Sequence, residues 1–321
     1  MGYAHMPVMP GELLRFVEES EFRGTGLLVD CTVGEGGHSE LFLNRFANIR
    51  IIAFDRDGEI LEIARERLRK HAGRIDFIND NFAHISQHLG QVRGRVHYVL
   101  YDFGISSYHF DESGRGFGFA RDERLDMRLD GCGESAEEIV NTADEKTLAD
   151  IIFRYGEERW SRRIASAIVR ARRGKPVGTT GELADIVLGA IPKRFHVKNI
   201  HPATRVFQAL RIAVNDELGA IGRSLDDAHG LLAPGGRIMA ISFHSLEDRI
   251  VKDKFRRLGR GCLCSEEPRN CRCAGTPYVK LLTKKPLRPD VEETARNSRA
   301  RSARLRVCEK LAEARPSGIL S

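Results

Sequence analysis

Residues 27–57 read LLVDCTVGEGGHSELFLNRFANIRIIAFDRD, and this stretch decides the fold. Leu27, Leu28 and Val29 form a short apolar run of the kind buried on both faces of a parallel sheet. Gly34, Gly36 and Gly37 follow, and glycine lets a chain turn sharply and a ligand approach the backbone. His38 to Phe46 has helical spacing, and a second apolar run, Ile51 to Phe54, ends on Asp55. The pattern is strand, glycine turn, helix, strand. A carboxylate at the tip of the second strand is placed to accept hydrogen bonds from two ribose hydroxyls.

Two common ribose-phosphate signatures are absent. The dinucleotide fingerprint G-x-G-x-x-G fails because Ser39 stands at its third glycine. The phosphate loop G-x-x-x-x-G-K-[ST] fails because Gly174-Lys175 is followed by Pro176. The remaining pattern, D-x-T-x-G-x-G-G from Asp30 to Gly37, resembles the first motif of S-adenosylmethionine-dependent methyltransferases, with Thr32 where glycine is more usual. A Gly-rich turn of some other α/β protein is the plainer alternative at this point.

The alternation continues outward. A helix is expected over Glu59 to Lys70, a third strand over Ile75 to Ile78, and a fourth over Val96 to Tyr101, followed by Asp102. Phe82, just past the third strand, suits either a cover for a flat base or a core plug. From Asp111 to Thr204 strand patterns stop, and helices are expected over Ser135–Asn141, Glu145–Tyr155, Glu157–Arg173 and Gly181–Ala190. The third helix carries an apolar stripe through Trp160, Ile164 and Ile168, with Arg159, Arg162, Arg163, Arg170, Arg172 and Arg173 around it. Such arginines are usually solvated, but they also suit phosphates. One long helix is expected over Ala203–Leu225, then a Pro-Gly-Gly turn and a fifth strand over Arg237–Phe243. Closing antiparallel strands are expected near Tyr278–Thr283 and Ser302–Val307. The fold class is therefore α/β, a doubly wound sheet with an inserted all-helical domain. The expected boundaries are 1–110 and 205–321 for the sheet domain and 111–204 for the helical insertion, which would recognise substrate.

Composition sets bounds on function. The 321 residues are 41% hydrophobic and 30% charged, as in an ordinary globular protein. No apolar run has the length of a membrane span, and no signal peptide is expected. Seven cysteines, an odd number, suit a reducing cytoplasm. The net charge of +6 is uneven: residues 249–310 hold 18 Lys/Arg against 7 Asp/Glu, a balance of +11, which leaves −5 for the rest. A basic C-terminal third suits a polyanion, above all nucleic acid, although a solvated surface explains charge alone. Cys262, Cys264, Cys271 and Cys273 offer four thiolates for a structural zinc. Their C-x-C spacing is tighter than that of most zinc sites, and free thiols are the more ordinary reading.

Five blocks carry a closer resemblance. They are GEGGHS from Gly34, RGFGFARDERLDMRLD from Arg115, HPATRVFQALRIAVNDEL from His201, SFHSLEDRIVK from Ser242 and KPLRPDVEETARNSRARSARLRV from Lys285. Together they resemble the RsmH (MraW) family of ribosomal RNA cytosine-N4 methyltransferases. The resemblance implies S-adenosylmethionine as cofactor and, as substrate, a cytidine in the decoding region of 16S rRNA in the small ribosomal subunit. By matched position it implies Gly36, Gly37, His38, Asp55, Phe82, Asp102 and His109 as cofactor residues. At the last of these, other members more often have Gln after Pro, and this chain has Tyr108-His109. Asp102 is the expected catalytic group, with Ser106, Ser107, Asn215 and His244 as alternative partners for the target amine. No Pro-Cys pair is present, which argues against pyrimidine C5 chemistry. A non-catalytic RNA-binding assembly factor and a small-molecule methyltransferase are the competing classes.

Overall fold

The computed structural model describes residues 7–197, 201–260 and 277–312. Cys262, Cys264, Cys271 and Cys273, the expected zinc set, lie outside the described residues. The chain forms two compact units, Met1–Gly104 with Leu218–Ser321, and Ile105–Glu217.

The first unit is built on one sheet. Its strands are β1 (Gly26–Asp30), β2 (Ile49–Asp55), β3 (Ile75–Asn79), β4 (Val96–Asp102), β5 (Leu232–Ser242), β6 (Val279–Leu281) and β7 (Arg304–Lys310). The order across the sheet is β3-β2-β1-β4-β5-β7-β6. The strands from β3 to β5 pair in parallel, and β7 runs antiparallel between β5 and β6. Strand residues alternate between two apolar layers. Leu28, Tyr98, Leu100, Met239 and Ile241 face one core. Val29, Val99, Tyr101, Ile238 and Ala240 face the other. Burial on both faces explains why the strands read as apolar runs and not as alternating ones. Helices Pro10–Glu18, Gly37–Arg45 and Gly58–Arg67 supply Leu13, Phe42 and Leu61 to the first core. Helices Glu217–Leu231 and Ser245–Gly259 supply Ile221, Leu225, Val251 and Phe255 to the second.

The second unit is helical, with its own core. Helices Ala136–Thr142, Glu145–Gly156, Ser161–Arg172, Thr180–Ala190 and Thr204–Asn215 bury Ile139, Ile152, Ile164, Val187, Phe207 and Leu210. Side-chain caps begin several of these: Ser135 accepts from Glu138 N, Asp144 from Thr147 N and Thr179 from Glu182 N.

Three bounds differ from expectation. The insertion runs over Ile105–Glu217, not 111–204. The single helix expected over Ala203–Leu225 is broken at Asp216, whose backbone is left-handed at φ 47°. Its apolar stripe serves two cores: Phe207 and Leu210 pack in the helical unit, and Ile221 and Leu225 pack on the sheet. The fifth strand also starts earlier than expected. It pairs with β4 at Leu232, then shifts register across Ala233–Gly236 before pairing again at Arg237.

Glycine spacing tests the packing. A Cβ on Gly156 would sit 2.6 Å from the Arg205 carbonyl oxygen, so two helices of the second unit meet at bare backbone. Gly156→Ala should lower the unfolding free energy by about 1–3 kcal/mol through overpacking. Gly222 lies inside helix Glu217–Leu231 with nothing within 4 Å of an added Cβ. Gly222→Ala should raise stability by about 0.5–1 kcal/mol through helix propensity. Urea unfolding of both variants measures this, and a loss at Gly222 or a gain at Gly156 would contradict the packing described.

Candidate active site

Three parallel strands of the first unit end on aspartates, and their register sets the geometry. Asp30 closes β1 level with Ala53 of β2 and Leu100 of β4. Asp55 and Asp102 therefore stand two residues beyond it on the flanking strands. The chain reverses its winding between β1 and β4, and open α/β sheets bind ligands at such a point, outside the carboxyl ends of the strands.

Asp30 is fully buried. Its Oδ2 accepts from Ser39 Oγ at 2.7 Å and its Oδ1 from Thr32 N at 3.2 Å. Burial pushes its pKa up to about 6 against these hydrogen bonds. Thr32, where the motif usually has glycine, accepts the Asp102 backbone N–H on its hydroxyl at 2.7 Å. The glycine turn is thus tied to the ends of β1 and β4. Gly36 caps helix Gly37–Arg45 with φ 84°, a conformation that disfavours a side chain.

Asp55 is oriented by two backbone donors, Gly34 N to Oδ2 and Asp57 N to Oδ1, each at 3.0 Å. These two bonds fix the direction in which the carboxylate points. Phe82 follows β3 half-buried, its ring 5.8 Å from Tyr101 and 6.2 Å from Phe103. It packs against the second core and keeps part of its surface exposed, so it is a plug at one edge.

His38, buried, and Asp102, half-buried, form the polar centre of the strand ends. The His38 ring shares a hydrogen with the Val8 carbonyl through Nε2 at 2.9 Å, and its Nδ1 lies 3.5 Å from Asp102 Oδ2. Burial lowers the His38 pKa and keeps the ring neutral. A neutral ring that donates from Nε2 turns the Nδ1 lone pair toward Asp102. Asp102 Oδ1 is buried and has no hydrogen-bond partner among the described residues. Burial, and next the nearby Glu247 carboxylate, push the Asp102 pKa up to about 8. An orphaned carboxylate oxygen at a strand end fits a ligand that brings its own N–H or O–H donors, as an amino acid or ribose moiety does.

His244 begins helix Ser245–Gly259 and accepts the Glu247 N–H on Nδ1 at 3.4 Å. Its Nε2 stands 3.0 Å from Glu247 Oε1 but out of hydrogen-bond alignment, so this nitrogen is available for a ligand. Glu247 is fully buried and accepts from Phe243 N and His244 N.

The other expected residues lie in the helical unit. His109 is buried, with Nδ1 accepting from Ser106 N and 3.0 Å from Ser106 Oγ, and its ring packs on Phe117. Asn215 is buried, and its amide is spent on backbone. Oδ1 accepts from Leu129 N, and Nδ2 donates to Met127 O and Arg211 O. It braces the 127–129 loop, where Met127 is left-handed at φ 61°.

No sequence signal marks the N-terminal lead-in as reaching the site. Val8 and Met9 are buried; Val8 meets His38, and Met9 N donates to Glu293 Oε1 at 2.6 Å. Sequence reading also passed over Ser39 as the partner of Asp30. A hydroxyl just past a glycine turn that follows a strand-end acid was the available signal.

Comparison with known proteins bears on the whole chain. The model of the MraW methylase family matches residues 2–311. A protein of Geobacter sulfurreducens named ribosomal RNA small subunit methyltransferase H is 48% identical over 314 residues, covering 97% of this chain and 100% of its own length. Proteins of the same name from Finegoldia magna and Clostridioides difficile are 43% and 42% identical, each over 97% of this chain and 100% of its own length.

The raised Asp102 pKa makes a stability prediction. An acid with a raised folded-state pKa binds its proton more tightly when folded. The native state therefore loses stability as pH climbs from the unfolded value of 3.8 to about 8. Asp102→Asn removes that penalty, together with the smaller upward push that the Asp102 charge gives Asp30. The variant should gain melting temperature over the parent at about pH 8.5 relative to about pH 4.5. The same offset at both pH values would show that Asp102 is not a buried, destabilised acid.

Proposed function

The chain belongs to the MraW methylase family, and from that membership we propose that it methylates the exocyclic N4 amine of a cytidine in the decoding region of 16S rRNA. The single observation that carries the chemistry is the buried, unpartnered Oδ1 of Asp102 at the end of β4. When bound, S-adenosylmethionine supplies an electrophilic methyl on a sulfonium, which needs no metal. In this reading Asp55 accepts the ribose hydroxyls, the turn through Gly36, Gly37 and His38 flanks the methionine end, and Phe82 borders the base. Asp102 accepts an N–H of the target amine and draws its lone pair out of conjugation with the ring. The His38 ring borders Asp102 on one side, with Nδ1 3.5 Å from Oδ2. Most of the rate then comes from placement and preorganised acceptors, not from a strong base. His244 Nε2 and the His109–Ser106 pair are the further groups assigned to cofactor or substrate.

The partner is 16S rRNA in the small ribosomal subunit, and the setting is the cytoplasm. Among the described residues no helix is long and apolar enough to cross a membrane. Part of the basic C-terminal charge is structural. Arg306 and Arg304 pair with Asp248 at 2.6 and 3.4 Å, while Arg301 is exposed and suits phosphate. A non-catalytic assembly factor on the same fold gives no reason for an uncompensated buried acid at β4, which costs stability.

The test is incubation with methyl-labelled S-adenosylmethionine and either naked 16S rRNA, small subunits or whole ribosomes, then nucleoside analysis. Label should appear in N4-methylcytidine and fall by about 10²–10³ in rate for Asp102→Asn at saturating cofactor. Label on carbon 5 or on ribose, or full rescue of the variant by cofactor, would overturn the assignment.

A further inference from the structure

The helical unit carries a cluster that the chemistry above does not use. Trp160 and Phe195 are half-buried, with ring centroids 5.0 Å apart and planes tilted by 47°. The Arg159 guanidinium lies 5.7 Å from the Trp160 ring and 5.1 Å from the Phe195 ring, and Arg194 lies 4.9 Å from Phe195. Arg162 and Arg163 follow on the first turn of helix Ser161–Arg172, both exposed.

Three features distinguish this patch from a solvated charged face. First, none of these four arginines has a carboxylate within ion-pair reach among the described residues. Several other basic groups of the same unit are matched, as in Arg124–Glu137, Arg128–Asp126, Lys175–Glu182 and Arg211–Glu217. The nearest buried acid, Glu158, is already engaged by Trp160 N and Arg205. Second, the charges gather at the wrong end of their helix. The first turn has no acid and no side-chain cap, so cations sit against the positive pole of the helix dipole. Third, the Arg159 and Arg194 guanidinia lie on half-exposed aromatic rings. A local choice that works against folding at several levels marks a functional surface.

We infer that Trp160, Phe195, Arg159, Arg162, Arg163 and Arg194 form a docking surface for an unpaired RNA segment. Planar guanidinia and aromatic rings stack with splayed bases, and the forked arginine donors match phosphate oxygens. An acidic protein segment would meet the same charge but has no bases to stack. The inference rests on the RNA-substrate reading above.

Trp160 is the only tryptophan, so intrinsic fluorescence of the full chain reports this place alone. Titration with a single-stranded oligoribonucleotide of about 12 nucleotides, a span typical of single-strand sites, should quench it saturably. The Arg162→Glu/Arg163→Glu variant should bind at least about tenfold more weakly with a shallower salt dependence. Phe195→Leu should lose affinity about fivefold or more without changing the salt slope. Arg162→Lys/Arg163→Lys, which keeps the charge, should bind within a few-fold of the parent and so controls for folding. Unchanged affinity in the charge-reversed variant, or equal quenching by polyglutamate or by duplex RNA, would overturn the inference. Methyl transfer by the same samples separates the two readings. A parent that methylates rRNA while the charge-reversed variant binds normally sinks only the docking surface. A parent that quenches with RNA but transfers no methyl to any rRNA sinks only the catalytic reading.

Discussion

A buried carboxylate at the end of β1 holds the candidate site together. Asp30 is removed from water, which is costly for a charged group unless its oxygens are hydrogen-bonded. Ser39, in the first turn of helix Gly37–Arg45, and Thr32, on the glycine turn, supply those bonds. Thr32 then receives the Asp102 N–H, so one network fixes the turn, the start of helix Gly37–Arg45 and the end of β4. Because Asp30 ends two residues short of its neighbours, Asp55 and Asp102 flank a recess at the strand ends. The satisfied acid sits below and the unsatisfied one above. This division lets the structure absorb one costly group while keeping another ready for a ligand.

Much of this was legible from residues alone. The apolar runs located β1 to β4, because strands buried on both faces leave no alternation to misread. Asp55, Phe82 and Asp102 were singled out because function in this architecture concentrates just past strand ends, and the structure places all three there. What escaped was set by tertiary packing. The stripe over Ala203–Leu225 has the period of one helix, but two cores claim its halves, and a one-dimensional pattern carries no label for which core a side chain enters. The bracing role of Asn215 was not legible, because the backbone groups of Leu129 and Met127 that its amide bonds are distant in sequence. The role of Val8 at His38 was invisible, since a carbonyl acceptor has no sequence signature.

Charge is divided by role across the molecule. Arg237 and Arg306 are buried and paired with Glu309 and Asp248, where they join strands to their surroundings. Their contribution to polyanion binding is small, whatever the net charge suggests. The arginines around Trp160 have no such partners, so a count of basic residues overstates one region and understates the other. Burial and pairing, not composition, decide which cations face a ligand.

The central claim is that strand-end carboxylates hold the cofactor, and Asp55 tests it most directly. Isothermal titration of S-adenosylmethionine into the parent and into Asp55→Ala compares their dissociation constants without any catalytic step. Loss of a charged acceptor for two hydroxyls should weaken binding by about 1.5–3 kcal/mol, roughly 10- to 150-fold. An unchanged dissociation constant in a folded variant would contradict the account.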